Sequence, residues 1–262
     1  MKLRHTRNTF LVTVLMSTPL LSMAADNPHA PHTHNNLHWG YSGEAGPQHW
    51  AELDESYLLC KTGKEQSPID IKSSKMIKKM GLSFDYQPAK IDFINNGHTV
   101  QANLVDSKNK IVLDNKDFQL LQFHLHTPSE EAIDGKHSDM VIHFVHSSED
   151  KTLAVVGLLF DLGEENPTLN ALIDALPAKP GDANTLPTPF DINALLPVDK
   201  DYYSFMGSLT TPPCTEGVHW QVLKEHVKIS QGQLDKIKAI ISENARPIQP
   251  LNERKIEDID NG

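Results

Sequence analysis

The segment Gln122-Phe123-His124-Leu125-His126 decides the fold, together with the later segment Met140-Val141-Ile142-His143-Phe144-Val145-His146. Both predict β-strands, in which successive side chains point to opposite faces of a sheet. His124 and His126 therefore share one face of the first strand. Its other face is expected to supply apolar packing through Leu121, Phe123 and Leu125. In the second strand, one face carries Val141, His143 and Val145, and the other carries Ile142, Phe144 and His146.

Three of these histidines have the spacing of a metal site carried on strands. Alternate residues of a strand lie about 6.6 Å apart, so His124 and His126 can both tilt toward one ion at about 2.0–2.1 Å. His143 can complete the set from a neighbouring strand. Three neutral nitrogen ligands leave zinc one open position for water, which is the arrangement of a catalytic site. The alternative is unrelated strand histidines, since the chain has 14 histidines.

The surrounding sequence predicts a sheet with few helices. Residues 91–94 and 98–105 read as two strands joined by a tight Asn-Gly turn, and further strands are expected at 111–113 and 153–160. Short connections between successive strands favour antiparallel pairing. Helices are predicted after Asn166-Pro167 and after Ser230, where capping residues precede apolar residues at helical spacing. The predicted fold class is α+β, dominated by sheet.

The first 24 residues have the layout of a secretory signal peptide. Basic residues precede an apolar run, and Ser22-Met23-Ala24 fits a small-x-small cleavage site, so cleavage is expected after Ala24. The run is shorter than the roughly 18 apolar residues of a membrane anchor. The polar segment 25–36 contains three histidines and is read as a solvated arm, with metal collection as the alternative. Residues 37–262 show no linker or repeat and are expected to form one domain.

The net charge of the mature chain limits the classes of partner that it can bind. Cleavage changes the formal net charge from −10 to −13, because the leader contains three basic residues and no acidic one. An acidic mature chain argues against nucleic acid and against an anionic membrane as partners, and membrane insertion is not expected.

Cys60 and Cys214 are the only cysteines. An even count in an exported chain favours a disulfide, with two buried thiols as the alternative, and the expected location is the periplasm or the exterior.

Other motifs flank the histidine segments in a fixed order. They are Leu37-His38-Trp39-Gly40-Tyr41, Gln66-Ser67-Pro68-Ile69-Asp70, Asn95-Asn96-Gly97-His98, Ser208-Leu209-Thr210-Thr211-Pro212-Pro213-Cys214 and Arg246-Pro247-Ile248-Gln249-Pro250-Leu251-Asn252. Together with residues 122–126 they resemble the α-class carbonic anhydrases of the exported bacterial kind, over essentially the whole mature chain. The resemblance implies a large central twisted sheet, mostly antiparallel, with a few peripheral helices and a metal at the bottom of a conical cleft.

The resemblance also implies an activity. It indicates a zinc enzyme, with Zn²⁺ held by His124, His126 and His143, that reversibly hydrates carbon dioxide to bicarbonate and a proton by attack of zinc-bound hydroxide. Thr210 matches the residue that orients the hydroxide by donating its own proton to a buried carboxylate, here Glu130. His98 matches the proton shuttle. Taken singly, these three residues could also be a turn threonine, a surface glutamate and an exposed histidine at a strand start.

Further cleft residues follow from the same resemblance. Carbon dioxide carries no net charge and is nonpolar, so apolar side chains on one wall of the cleft are expected to bind it. The residues that match this substrate site are Val145, Val155, Leu209, Thr211, Val218 and Trp220, and core packing is the competing explanation for the apolar ones. Tyr41, Asn96 and Gln101 match residues that order water, although Gln101 stands where many relatives have Asn. Gln122 is expected to accept a hydrogen bond from His124 and fix its tautomer.

Val141 departs from the family pattern. Relatives usually carry Glu two residues before the third ligand, where a carboxylate receives the remaining N–H of that histidine, and valine cannot do so. Loss of such a partner typically weakens metal affinity or activity by about 10–100-fold. The sequence therefore predicts zinc binding with faster zinc loss than in those relatives, slowed by Val141→Glu.

Two other functions stay open from the sequence. One is a catalytically weak or silent zinc-binding protein on the same scaffold. The other is a periplasmic zinc store that uses the histidine-containing arm. The retained ligands, with Thr210, Glu130 and His98, favour the enzyme. A homodimer is also left open.

Overall fold

The computed structural model describes residues 38–72, 76–79 and 81–262, so the predicted signal peptide and the polar segment 25–36 lie outside it. Its α-helices are α1 (Trp50–Leu53), α2 (Leu59–Thr62), α3 (Pro167–Ala175) and α4 (Gln231–Lys238), with 3₁₀ turns at Gly43–Ala45, Glu55–Tyr57 and Ile192–Leu195. Its strands are β1 (Asp70–Ile71), β2 (Ile77–Lys78), β3 (Leu82–Asp85), β4 (Lys90–Asn95), β5 (Val100–Val105), β6 (Lys110–Leu113), β7 (Lys116–His126), β8 (Ala132–Ile133), β9 (Lys136–His137), β10 (Met140–Ser147), β11 (Leu153–Leu162), β12 (Ala183–Thr185), β13 (Tyr202–Ser208), β14 (Glu216–Leu223), β15 (Val227–Ile229) and β16 (Glu257–Asp260).

Within the described residues, thirteen strands form one mixed sheet, and β1, β8 and β9 form a small second one. The main path of the large sheet runs β12-β4-β5-β7-β10-β11-β14-β13-β16-β2. The two histidine strands, β7 and β10, are antiparallel neighbours near its middle. In the large sheet, parallel pairing occurs between β11 and β14, β11 and β15, and β16 and β2, and its other described pairs are antiparallel. In the small sheet, β1 and β8 are parallel, and β8 and β9 are antiparallel. The predicted sheet-dominated, mostly antiparallel α+β fold is confirmed.

Strand β10 lies between two apolar clusters. Ile142 and Phe144 belong to the larger cluster, which also contains the buried side chains of α3 and α4. Val141 and Val145 belong to the smaller cluster, on the face that carries His143. The predicted alternation of this strand is confirmed. A slip of one residue would move His143 into the larger cluster and take Ile142 and Phe144 out of it, so the register is strongly determined.

The first histidine strand contains an irregularity that simple alternation did not predict. Val145 pairs with Gln122, whereas the next residue, His146, pairs with Leu120, so the register shifts at this point. Leu120 is buried, and Leu121 is 46% exposed. The prediction that Leu121 packs on the core face is wrong, because an extra residue in one strand changes the phase of its side chains. The two histidines that follow the shift keep their predicted common face.

Local signals placed several element ends correctly. The turn between β4 and β5 has Gly97 at φ +85°, a conformation that glycine adopts without strain. Helix α3 begins after Asn166, whose side chain accepts from the backbone N–H of Thr168. Helix α4 begins after Ser230, which forms a capping box with Gln233.

The two cysteines form the predicted disulfide, with Cα atoms 5.0 Å apart. Both lie in a third apolar cluster that contains Trp50. The bond ties α2 to the loop after β13, which carries Thr210. A disulfide is compatible with an oxidising compartment. Along the part of the chain that the structure describes, no helix has the length and apolar character to cross a bilayer.

On the core face of β10, His146 is fully buried beside Tyr86. The Tyr86 hydroxyl donates to His146 Nε2 at 2.7 Å, and His146 Nδ1 donates to the carbonyl oxygen of Ala154 at 3.3 Å. Both ring nitrogens are therefore satisfied in the neutral form. Burial lowers the pKa of His146 to about 3, so the imidazole is a neutral part of the core.

This neutral histidine predicts acid-sensitive stability. Its folded pKa lies below the reference value of 6.5, so only the unfolded chain takes up the proton as pH falls from 6.5 toward 3. The contribution is complete above pH 6.5, and the free energy of unfolding is expected to drop by about 2 kcal/mol between pH 7.5 and 5 from this group. His146→Gln keeps one donor and one acceptor and should remove that drop in urea titrations. Parallel pH profiles for the two proteins would contradict the assignment.

Candidate metal centre and cleft

The three predicted ligands meet on one face of the sheet. In the pairing of β10 with β7, His143 lies opposite His124, and Val141 lies opposite His126. The potential ligand nitrogens of the three rings all lie within 4.8 Å of one another. His126 and His143 are buried, and His124 is half-buried. Strand alternation and strand pairing together therefore build the convergence that the sequence predicted.

Each ring is held through the nitrogen that faces away from the other two. His124 Nδ1 donates to the side-chain oxygen of Gln122 at 2.9 Å, as predicted. His126 Nδ1 donates to the backbone carbonyl of Asn244 at 2.8 Å. His143 Nε2 donates to the carboxylate of Glu131 at 3.2 Å. These bonds leave Nε2 of the first two rings and Nδ1 of the third as the lone-pair atoms, which is the tautomer set that a shared cation requires.

The surroundings of the cluster hold two of its three rings in the neutral form. Burial, followed by the nearby His143, lowers the pKa of His124 to about 3, and the same causes hold that of His126 well below its usual range. Burial alone would lower the pKa of His143, but the carboxylate of Glu131 raises it. His126 Nε2 is buried and has no hydrogen-bond partner among the described residues. Neutral imidazoles with an unpartnered buried nitrogen are suitable zinc ligands.

The expectation that His143 lacks a carboxylate partner is wrong. Val141 is fully buried in the apolar cluster beside the site and offers no acceptor. Glu131, directly before β8, supplies the carboxylate instead, with its second oxygen 3.1 Å from His143 Nε2. The predicted weakness at Val141, and with it the expected benefit of Val141→Glu, therefore loses its basis.

A second buried carboxylate, Glu130, lies beside the ligands. Its Oε1 accepts from the backbone N–H of Arg246 at 2.8 Å, and its Oε2 is 3.5 Å from His126 Nε2. Burial is the largest cause that raises the pKa of Glu130 to about 7, and the neighbouring Glu131 adds to it. His143, Arg246 and the Thr210 hydroxyl act in the opposite direction. Glu130 and Thr210 thus come together as the sequence predicted, and Glu130 is not a surface residue.

A cleft of about 240 Å³ opens onto the three histidines. Most of the predicted site residues line it, namely Tyr41, Asn96, His98, Gln101, Gln122, Val145, Val155, Leu209, Thr210, Thr211 and Trp220. Val218 is not among the lining residues and is 1% exposed within the apolar cluster behind the wall. It packs in the same cluster as Val145 and Trp220, which do line the cleft, and its contact with substrate stays a prediction. Gln101 donates to the side chain of Asn103 at 2.6 Å, which orients its amide in the cleft.

His98 lies at the mouth of this cleft. Its ring stacks on that of Trp39, with centroids 3.6 Å apart and planes 8° from parallel. Its Nε2 is 2.9 Å from Nε2 of His38. Partial burial, followed by the neighbouring His38, lowers the pKa of His98. The ring also borders a second depression, which contains Glu243 and Asn244, so His98 lies between the two cavities.

Sequence reasoning missed four contributors to the site. Trp39 and Thr99 line the cleft, the carbonyl of Asn244 holds His126, and Glu131 holds His143. For Glu131 a signal existed, because Glu130-Glu131 is an acidic pair that precedes strands otherwise rich in apolar residues. For Asn244 the sequence carried none, since any residue has a carbonyl oxygen.

Comparisons with known proteins agree with this geometry. The family model of the eukaryotic-type carbonic anhydrases matches residues 45–259. A carbonic anhydrase of Neisseria gonorrhoeae is 43% identical over 223 residues, which are 85% of this chain and 88% of that protein. One of Pectobacterium atrosepticum is 41% identical over 251 residues, covering 95% and 99%. The α-carbonic anhydrase of Thermovibrio ammonificans, solved with the inhibitor sulfanilamide, superposes with a TM-score of 0.81 at 44% identity and covers 84% of this chain and 99% of that chain.

The resemblance inferred from scattered motifs thus extends over most of the chain and over the fold itself. The prediction of a carbonic anhydrase is confirmed by the family model and by the relatives of that name. The chain belongs to the eukaryotic-type carbonic anhydrase family, and it is a carbonic anhydrase.

Proposed function

We propose that this carbonic anhydrase works as a zinc enzyme that reversibly converts carbon dioxide and water to bicarbonate and a proton. The observation that carries the proposal is the convergence of three imidazole nitrogens at the base of the cleft, each ring fixed through its opposite nitrogen. His124, His126 and His143 would hold the ion. When bound, zinc supplies Lewis-acid activation of water near neutral pH, a role for which carbonic anhydrases are the standard example.

Thr210 and Glu130 would orient the reacting water. The Glu130 carboxylate is anchored by the backbone N–H of Arg246 and faces the ligand cluster. A threonine hydroxyl that donates to such a carboxylate has its lone pairs directed back into the cleft. The hydroxyl oxygen can therefore accept a hydrogen bond from the water in only one orientation. That orientation would fix the direction of attack.

The apolar side chains of the cleft would hold the substrate. Val145, Val155 and Trp220 belong to one packed cluster and line the cleft next to the ligands, and Leu209 packs against the same cluster. The indole N–H of Trp220 donates to the carbonyl of Ser208 at 3.0 Å, so the ring presents an apolar surface to the cleft. Such a wall excludes ordered water and leaves room for a small nonpolar gas.

His98 would carry the proton out of the cleft. It borders both the cleft and the second depression. Its lowered pKa favours release of a proton once the ring has received one, and Nε2 of His38 lies 2.9 Å from its Nε2. The stacked Trp39 ring holds this orientation.

We expect His98→Ala to lose turnover mainly when buffer is scarce. Positioned proton transfer is typically worth about 10²–10⁴-fold, so turnover in dilute buffer should fall by at least about 10-fold and recover with added imidazole. The measurement is the rate of carbon dioxide hydration over a range of buffer concentrations, with His49→Ala as the control, because His49 is a half-buried histidine that does not line the cleft. Equal loss at every buffer concentration would count against the shuttle.

Stopped-flow hydration of carbon dioxide by the zinc-loaded and the chelator-stripped protein tests the function as a whole. One tightly bound zinc per chain with zinc-dependent hydration is the expected result. One zinc without hydration would identify the silent binding protein instead. Several weakly bound ions that depend on residues 26–36 would identify the zinc store.

Export to the periplasm, with cleavage after Ala24, is part of the proposal. The disulfide between Cys60 and Cys214 supports an oxidising location. The residues of the predicted leader lie outside the described part of the chain. The proposed cleavage after Ala24 is therefore based on their sequence pattern.

A further inference from the structure

Glu131 is a buried carboxylate with one histidine as its partner. The residue is 1% exposed, and its two carboxylate oxygens lie 3.1 and 3.2 Å from His143 Nε2. Across the described residues no other hydrogen bond reaches this carboxylate. A buried carboxylate costs several kcal/mol unless it is paired. The contact with His143 therefore offsets the cost of burying Glu131.

The backbone before β8 is built to hold Glu131 at that place. The Ser129 hydroxyl donates to the carbonyl of Glu131 at 2.7 Å and accepts from the backbone N–H of Ser138 at 2.9 Å. The Ser129 N–H donates to the carbonyl of Ser138 at 3.0 Å. One buried serine thus closes the base of the small hairpin formed by β8 and β9. Because Ser138 lies only two residues before β10 starts, the clamp links Glu131 to the strand that carries His143.

The neighbouring position on β10 cannot do the same work. Val141 shares the face of His143, two residues earlier, and is packed fully inside the apolar cluster. The other two rings have neutral acceptors, the amide of Gln122 and the carbonyl of Asn244. Only His143 has a charged acceptor among the three. Hydrogen bonds to an ionised acceptor are stronger than neutral ones of the same geometry, so this acceptor can orient His143 even at 3.2 Å.

We propose that Glu131 is the positioning residue for His143, and that this carboxylate, reaching in from the segment before β8, replaces one at position 141 and sets how slowly the site releases zinc. The inference rests on the proposed zinc site. It assigns to Glu131 the roles of fixing the Nδ1 lone pair toward the ligand cluster and of holding the ring in place while the ion is bound.

The test is zinc release from the loaded full chain to excess chelator. Glu131→Gln keeps the shape of the side chain and removes its charge, so release should become about 10–100-fold faster, the usual effect of losing such a partner. The matched control is Asp258→Asn, which removes another buried carboxylate, paired with Lys224 at 2.7 Å and remote in sequence from the ligands. Its release rate should stay within twofold of the wild-type rate. The unfolding midpoint of metal-free Glu131→Gln should not fall below that of the wild type, because a neutral amide is cheaper to bury.

Adding Val141→Glu to Glu131→Gln should slow release again, since it returns a carboxylate to the same face of β10. In the wild-type background the same change should not slow release, because the N–H of His143 already has its acceptor. The proposal would be overturned if Glu131→Gln released zinc as slowly as the wild type, or if Asp258→Asn released it as fast as Glu131→Gln. Neither result would affect the proposed function, as long as the wild type binds zinc and hydrates carbon dioxide. A wild-type chain that binds no zinc would defeat the proposed function first.

Discussion

The His126→Ala protein, loaded in the same way as the wild type, is expected to keep little zinc and almost no hydration activity. His126 is fully buried, and its Nε2 has no hydrogen-bond partner among the described residues, which leaves its lone pair for the proposed ion. Removing it deletes a ligand rather than an outer contact, so the loss of zinc affinity should exceed the roughly 10–100-fold effect of an outer partner. Lewis-acid activation is worth several kcal/mol, so activity should fall by about 1,000-fold or more.

Zinc content by elemental analysis and the stopped-flow rate are the two measurements. His226→Ala is a suitable control, because His226 pairs with Asp161 at 2.8 Å and takes no part in the ligand cluster. The control should keep one zinc and full turnover. A His126→Ala protein that retained a full equivalent of zinc would show that the three-histidine centre has been assigned wrongly.

Removal of the disulfide should give the largest loss of stability. The bond joins residues 154 apart in the sequence, and in the chain-entropy description a closed loop of that length contributes about 4–5 kcal/mol. The double variant Cys60→Ala and Cys214→Ala should show a drop of that order in urea titrations. Wild-type protein treated with a reductant keeps both side chains and should show a similar drop, whereas the double variant should not respond to the reductant. Identical unfolding midpoints for oxidised and reduced wild type would contradict this expectation.

The same bond has a functional side. Cys214 N–H donates to the carbonyl of Thr211 at 2.8 Å, and its own carbonyl accepts from Gln66 at 3.0 Å. The loop that carries Thr210 is therefore tied to the N-terminal part of the fold at Cys214. Part of the activity loss after reduction is expected to appear before global unfolding, because loosening this loop displaces Thr210 from Glu130.

Local sequence was sufficient wherever one residue and its near neighbours decide the outcome. Alternation placed His124 with His126 and put Phe144 on the opposite face to His143. The Asn-Gly turn before β5 and the caps at Asn166 and Ser230 were read correctly. Each of these depends on strand or helix geometry over a few residues, which the side-chain types reveal directly.

Sequence reasoning failed where the partner comes from elsewhere. The bulge that exposes Leu121 depends on how β10 pairs with β7, and the parallel pairing of β11 with β14 depends on the path of the chain between them. Family resemblance led to a weak site at Val141, because it compares positions one at a time. A carboxylate that arrives from another segment, as Glu131 does, is invisible to that comparison.

By itself the amino-acid sequence determined that this protein has three imidazoles able to share one ion, a sheet to carry them, and cysteines able to close a long loop. Only the tertiary structure decided which nitrogens of His126 and His143 face the centre of the cluster. It did so through acceptors such as the carbonyl of Asn244, 118 residues away from His126. The physical reason is that side-chain direction is a local property of the backbone, whereas a hydrogen bond needs two groups whose distance is set by every element folded between them.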